Sequence, residues 1–303
     1  MVTVAMITAG ALTLANCSAP TATVHELAPG VWVRETPVGS GLGINQSWIE
    51  IGSFSVVIDA NILDHEGRML AAYDESSQLP IRYLLNTHSH GDHAHGNGPF
   101  VERGAEIVAS LAAKPFFAKT EADFLGQRER KEHFPAYEKT DWAPPTIWFE
   151  EELWISSPQR KLQFMHLGAA HSPGDAIAWL PDEGILFIGD LAAVGHLNYL
   201  GDADLGGWIR VLEQLEKLPV RIVVPGHGAI GDVEMLRQQR LFLGALRDAI
   251  LARLAAGDRD IDQIAEGIEL PDHPRWAGQK PWFRRLAVKK FIASSAKAIQ
   301  EPQ

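Results

Sequence analysis

Apolar residues along the chain fall into two sets of short runs, and helical patterns follow each set. Runs rich in β-branched and aromatic residues, bounded by turn residues, predict strands. They lie at 31–33, 47–51, 55–59, 81–85, 107–109, 152–155, 162–165, 176–179, 185–188 and 221–224. Longer patterns predict helices at 66–77, 111–132, 207–218, 232–256 and 281–298. The segment 134–148, which is rich in Pro and Trp, is predicted to be an irregular loop.

Each half of the chain therefore begins with strands and ends with helices. Two mixed β-sheets that pack on each other and are covered by helices account for this order in an α/β protein. No linker rich in Gly, Pro or Ser divides the pattern. We therefore expect one domain over residues 23–303, with a C-terminal helical extension from about residue 232.

The first 22 residues are set apart by their composition. Residues 1–15 carry no charge and are almost wholly apolar or small, which is typical of the apolar part of a secretory signal. Residues 14–17 resemble a bacterial lipobox, in which Cys17 would become the lipidated first residue and attach the protein to a membrane. We expect residues 1–22 to be a signal or lipoprotein leader and the protein to be periplasmic or membrane-anchored. If the leader is an ordinary strand or tail instead, the protein is cytoplasmic.

Charge and cysteine content narrow the chemistry. The 303 residues carry a formal net charge of −11, which disfavours nucleic acid as a partner because phosphate backbones are repelled. A small-molecule substrate is the expected partner, and the sequence leaves the oligomeric state open. Cys17 is the only cysteine, so the chain has neither an intrachain disulfide nor a cysteine-based metal site.

The most informative segment, residues 87–93, directly follows a predicted strand. It reads Thr-His-Ser-His-Gly-Asp-His, so three histidines and an aspartate lie close together. His88 and His90 project to the same side of an extended chain. Asp92 and His93 lie beyond Gly91, which relaxes the limits on the backbone. Imidazole and carboxylate groups are ligands of zinc, so the loop predicts a metal site.

Four such residues in one loop would not close a single tetrahedral site, so other strand ends must contribute. His171, Asp190 and His227 each follow a predicted strand and have a glycine nearby. Any one of them alone would more often be a structural residue. Together they form a consistent set of further ligand candidates.

This pattern resembles the metallo-β-lactamase superfamily from about residue 27 to about residue 228. The motif is highly specific for the superfamily and weakly specific for the substrate. The resemblance implies an αββα sandwich with two metal ions at one edge, between the sheets. It also implies the ligand sets: His88, His90 and His171 for the first ion, Asp92, His93 and His227 for the second, and Asp190 as a bridge between them.

Under this resemblance we expect a catalytic domain with two zinc ions, although ligands without thiolate also permit iron or manganese. A metal-bound hydroxide would attack a lactam, lactone, ester or thioester. Asp92 would be the catalytic residue that orients the hydroxide and moves a proton. Asp59, at the end of a predicted strand, would orient the histidine loop.

Several alternatives stay open at this point. Classical β-lactam-hydrolysing members have Cys or Ser at the position of Asp190, whereas a bridging Asp is typical of thioesterase, lactonase and general hydrolase members. β-Lactamase activity is therefore one expectation among several. An iron-dependent oxidoreductase similar to a persulfide dioxygenase, and a metal-binding protein without turnover, are the other two classes. His95 is a further candidate donor to a ligand, and His196 and Tyr199 are candidate substrate contacts in the loop after Asp190.

Overall fold

The computed structural model describes residues 22–37, 43–62, 66–130, 135–194, 199–268, 285–286 and 288–292. Cys17 and nearly all of the predicted leader lie outside these ranges, so the leader stays a prediction. Of the predicted helix 281–298, residues 285–286 and 288–292 are described, and they are helical. No helix within the described ranges has the length and apolar character needed to cross a membrane.

Two mixed β-sheets pack face to face, as the sequence predicts. In the first sheet the strands follow one another in chain order, antiparallel up to the fourth strand and parallel from the fourth to the seventh. Its strands are β1 (Thr23–Ala28), β2 (Val31–Glu35), β3 (Gln46–Ile51), β4 (Phe54–Ile58), β5 (Ile81–Leu85), β6 (Glu106–Ser110) and β7 (Ile147–Phe149).

The second sheet consists of β8 (Glu152–Ser156), β9 (Lys161–Met165), β10 (Ile177–Leu180), β11 (Ile185–Phe187) and β12 (Ile222–Val224). Its strands lie in reverse chain order, and only β11 and β12 run parallel. In each sheet the parallel strands end at an edge of the sandwich. Loops leaving such an edge can bring distant residues together.

Helices cover the outer faces of the two sheets. Buried residues of α1 and α3 join the outer face of the first sheet, and those of α5, α6 and α7 join that of the second. The helices are α1 (Glu66–Ser76), α2 (Gly91–Ala94), α3 (Asn97–Glu102), α4 (Lys114–Glu129), α5 (Leu205–Leu215), α6 (Val233–Ala255) and α7 (Ile261–Gly267).

Five elements differ from the sequence prediction. Strand β1 and the helices α2, α3 and α7 were not expected, and the first two residues of β7 belong to the segment predicted to be an irregular loop. The three residues of β7 pair with β6 after a proline-rich stretch. The predicted helix 111–132 begins as a short 3-10 turn at Leu111–Ala113, and its α-helical part starts at Lys114 with Pro115 in the first turn. Proline is tolerated there because the first helical N–H groups have no partner within the helix.

Substitutions in the core between the two sheets should lower the free energy of unfolding more than substitutions at the surface. The Phe164 ring on β9 is buried and lies 5.0 Å from the Phe149 ring of the facing sheet. Phe164→Ala should lower the free energy of unfolding by about 3–5 kcal/mol, because a cavity replaces a packed ring. Trp154→Ala on the neighbouring strand is the control, since that ring is 44% exposed and its loss should cost under about 1 kcal/mol. Chemical denaturation measures both, and equal losses would contradict this account of the core.

Candidate metal centre

Strand ends from both sheets converge at one edge of the sandwich. Asp59 follows β4, the loop 87–93 follows β5, Asp190 follows β11 and His227 follows β12. His171 joins them from the connection between β9 and β10. The seven predicted ligands fall into three overlapping groups whose ligand atoms lie within 4.8 Å of one another in each group.

The first cluster brings together one ring nitrogen each from His88, His90 and His171. His90 Nδ1 lies 3.0 Å from His88 Nε2 and 3.0 Å from His171 Nε2. His88 and His171 are buried, whereas His90 is partly exposed. The corners of a tetrahedron around zinc are about 3.3 Å apart at ordinary Zn–N distances, so these three nitrogens have the spacing that a single ion needs.

The second cluster brings together Asp92, His93 and His227. Asp92 Oδ2 lies 3.2 Å from His227 Nε2 and 3.9 Å from His93 Nε2. His93 is fully buried, and no residue that the structure describes gives its Nε2 atom a hydrogen bond of ordinary geometry. A buried nitrogen of this kind is costly unless something binds it, so the cluster also fits a cation.

Asp190 lies between the two clusters. Its Oδ1 atom is 3.3 Å from His93 Nε2, and its Oδ2 atom is 3.6 Å from both His171 Nε2 and His227 Nε2. Gly226 makes room for this carboxylate, since a Cβ atom there would lie 2.1 Å from Asp190 Oδ1. One carboxylate thus reaches histidines of both clusters, as a bridging ligand would.

Gly91 is required for a different reason from the one expected. The sequence suggested backbone freedom, but Gly91 does not adopt the left-handed region. A Cβ atom at Gly91 would instead lie 2.5 Å from the His95 ring. The loop therefore needs glycine so that this ring can pack closely against the turn of α2.

Asp59 supports the histidine loop with both of its carboxylate oxygens. Oδ1 accepts a hydrogen bond from the Thr87 backbone N–H at 2.8 Å, and Oδ2 accepts one from the Thr87 hydroxyl at 2.8 Å. Oδ2 also lies 2.8 Å from His93 Nδ1. The Thr87 Oγ1 atom is in turn 3.1 Å from His88 Nδ1. One buried carboxylate therefore orients a histidine of each cluster.

Neutralising Asp59 should weaken metal binding without disturbing the fold. Asp59 has a φ of 60°, a conformation that asparagine also tolerates, so Asp59→Asn removes the charge but keeps the shape. Full loss of such an orienting partner typically costs about 10–100-fold in metal affinity, and asparagine, which keeps only one of the two accepting oxygens, should cost part of that. Competition with a coloured chelator measures this. Asp74→Asn, at an exposed carboxylate on α1, is the control, and equal affinities for the two variants would contradict the assigned role.

The two clusters have opposite electrostatic character. Burial lowers the pKa of His171 to about 3 and holds the pKa of His88 well below its usual value, so both rings are neutral and offer lone pairs. Although burial opposes it, Asp190 and Asp92 raise the pKa of His227 to about 10. Against the same opposition, His93 and His227 lower the pKa of Asp92 to about 2. Although burial opposes it too, Asp59 and Asp190 raise the pKa of His93 well above its usual value. The second cluster thus pairs ionised carboxylates with protonated histidines, and a bound cation would take the place of those protons.

The remaining sequence candidates lie in different places. The hydrogen bonds of His95 go to residues other than the predicted ligands, and its expected role as a donor to a ligand stays a prediction. Its Nδ1 atom is 2.8 Å from Tyr137 Oη and its Nε2 atom is 3.3 Å from the Thr120 carbonyl oxygen, so it joins α2 to α4. Tyr199 is 44% exposed, and its ring centroid lies 5.7 Å from that of His90. His196 lies outside the described residues.

Sequence reasoning missed Asp202. Its Oδ2 atom lies 3.1 Å from His90 Nε2, on the side of the ring away from the first cluster. The hydrogen bond with His90 is the main reason why the pKa of Asp202 falls to about 2. The sequence predicts candidate substrate contacts in this loop, but a single aspartate in an irregular loop gives no local signal of what it contacts.

Comparison with known proteins places this site in a family. Residues 39–227 match the model of the metallo-beta-lactamase superfamily. The metallo-beta-lactamase type 2 of Bacteroides fragilis is 26% identical over 192 residues, which is 61% of this chain and 69% of that protein. A linear primary-alkylsulfatase of a Pseudomonas species is 24% identical over 277 residues, which is 78% of this chain and 51% of that protein. The chain therefore spans about half the length of the alkylsulfatase.

Solved structures agree at the level of the fold. A metallo-beta-lactamase from Pontibacter korlensis superimposes with a TM-score of 0.58 and 20% identity, over 74% of this chain and 99% of that one. A double mutant of a sec-alkyl sulfatase superimposes with a TM-score of 0.69 and 19% identity, over 93% of this chain and 52% of that one. The family model covers more than half of the chain and includes all seven clustered residues. This protein belongs to the metallo-beta-lactamase superfamily and has the fold and the candidate His/Asp metal site of its hydrolases.

Proposed function

We propose that this protein is a dinuclear zinc hydrolase that acts on a small carbonyl substrate: a lactam, lactone, ester or thioester. The observation that carries the proposal is the position of Asp190, whose two oxygens lie within 3.6 Å of histidines from both clusters. Zinc is favoured because the ligands are imidazole and carboxylate groups. Two bound divalent ions would supply Lewis acidity for the scissile bond and would lower the pKa of water toward neutrality.

The residues of the chain supply the rest of the chemistry. The side chain of Asp92 is 22% exposed and that of Asp190 is 9% exposed, so Asp92 is the carboxylate closer to solvent. We therefore expect Asp92 to accept a hydrogen bond from the attacking water and to take up its proton. The exposed ring of Tyr199 lies beside His90. There it would contact an apolar part of the substrate.

A second candidate is hydrolysis of an alkyl sulfate ester. It rests on the share of this chain that each relative matches. The match to the linear primary-alkylsulfatase covers 78% of this chain, whereas the match to the Bacteroides fragilis enzyme covers 61%. The same site would then act on a sulfur–oxygen or carbon–oxygen bond in place of a carbonyl group.

Metal analysis and a substrate panel test the proposal together. Mass spectrometry of the purified protein should find about two zinc ions per chain. The panel contains nitrocefin, a lactone, a thioester, an aryl ester and an alkyl sulfate. His25→Ala, at a half-exposed histidine away from the clusters, should keep both the metal content and the turnover. Iron in place of zinc would support the oxidoreductase alternative, and two zinc ions without turnover on any substrate would contradict the proposed substrate class.

A further inference from the structure

The two ring nitrogens of His90 point in opposite directions, one into the first cluster and the other away from it. Nδ1 faces His88 and His171 at 3.0 Å, so Nε2 points away from them toward Asp202 Oδ2 at 3.1 Å. A neutral imidazole that offers the lone pair of Nδ1 must carry its proton on Nε2. A carboxylate that accepts this proton in a hydrogen bond fixes both the tautomer and the orientation of the ring.

The backbone holds Asp202 firmly in this position. Leu200 and Ala203 are buried on either side of it. The backbone N–H of Asp204, two residues after Asp202, donates to the Ala170 carbonyl oxygen at 2.8 Å, which ties the segment to the turn that carries His171. Asp204 also accepts a hydrogen bond from Gly207 N–H at 3.1 Å and so begins α5. The carboxylate of Asp202 is therefore fixed relative to two residues of the first cluster.

The second cluster has an equivalent partner. Asp59 holds His93 at 2.8 Å from the side opposite to its ligand nitrogen, as Asp202 holds His90. Lys119 on α4 lies 3.5 Å from the same Asp202 oxygen, but its side chain is 73% exposed. Exposed pairs of this kind contribute little, so Lys119 offers a matched control for the contact between Asp202 and His90.

We propose that Asp202 is a positioning residue for His90 and sets how tightly the first cluster retains its ion. This inference rests on the proposed metal site and deepens it, because it assigns to the first cluster a second orienting carboxylate in addition to Asp59. The acidic side chain of Asp202 would act only through His90, without contact with substrate.

Zinc titration against a coloured chelator tests the assignment on Asp202→Ala, Asp202→Asn and Lys119→Met, each as the full chain. Asp202→Ala should weaken retention of one of the two ions by about 10–100-fold. Asp202→Asn, whose amide oxygen can still accept the Nε2 proton, should recover part of this loss. Lys119→Met should retain both ions as the wild type does. Cobalt substitution gives a second readout, because the visible spectrum of the first ion should change in Asp202→Ala.

The outcomes separate the two proposals. If the wild type binds two ions and both Asp202 variants retain them equally well, the role of Asp202 is wrong while the dinuclear site stands. A loss in Lys119→Met as large as that in Asp202→Ala would also overturn it, because the effect would then come from α4. If the wild type binds no zinc, both proposals fail. Melting of the metal-free proteins shows whether Asp202→Ala is folded, and Asp202→Asn carries the test if it is not.

Discussion

Asp190→Ala should reduce the zinc content from two ions to at most one and lower turnover by more than about 1,000-fold. Orienting partners outside the metal shell are worth about 10–100-fold each, and a direct ligand shared by two ions should exceed that. The reason lies in the position of this one carboxylate, within 3.6 Å of His93, His171 and His227. No other carboxylate among the described residues approaches histidines of both clusters so closely.

Two further variants make this result specific. Asp190→Asn keeps the volume that fits beneath Gly226, so a loss in this variant comes from the missing charge and not from a cavity. Asp182→Asn changes an exposed aspartate in the turn between β10 and β11, the strand that precedes Asp190. This control variant should keep its metal and its activity. Zinc analysis and steady-state kinetics on all three variants give the comparison. Two ions with normal turnover in Asp190→Ala would contradict the bridging role.

Much of this site could be predicted because each ligand candidate follows a strand. The loop 87–93 carries four of the seven residues in one local motif, and Asp190 and His227 follow apolar runs that are unambiguous strands. The loop alone could not complete the ligand set, and the family resemblance implied that residues far apart in the chain meet at one edge between the sheets. The role of Asp59 was expected only from the family resemblance, and the structure shows that Asp59 follows β4 and bonds to the start of the histidine loop.

Residues and elements without such a pattern could not be predicted. Asp202 reaches His90 from an irregular loop, and its contact depends on how that loop docks on the turn before His171. Strand β1 is an edge strand without a fully buried residue, so it lacks the alternation that marks a half-buried strand. Helices α2 and α3 have four and six residues, which is too short for a helical period to appear in the sequence.

Asp92→Asn should separate metal binding from proton transfer. The side chain oxygen of asparagine can still act as a ligand, whereas the amide cannot accept a proton at neutral pH. We therefore expect Asp92→Asn to keep most of the zinc and to lose about 100–10,000-fold in turnover, the range typical of a lost general base. Asp92→Ala should lose turnover by at least as much, and it should also bind the second ion more weakly, because Asp92 Oδ2 lies 3.2 Å from His227 Nε2.

The position of Asp92 explains why this effect should appear in turnover even where metal is retained. Asp92 lies in the first turn of α2, and its side chain is 22% exposed, whereas that of His93 beside it is fully buried. The buried His93 can bind only an ion inside the cluster. Asp92 can contact both an ion and a water molecule on the solvent side. Zinc analysis beside steady-state kinetics measures the two effects separately. An Asp92→Asn protein with two zinc ions and full activity would show that the proton is moved by another group.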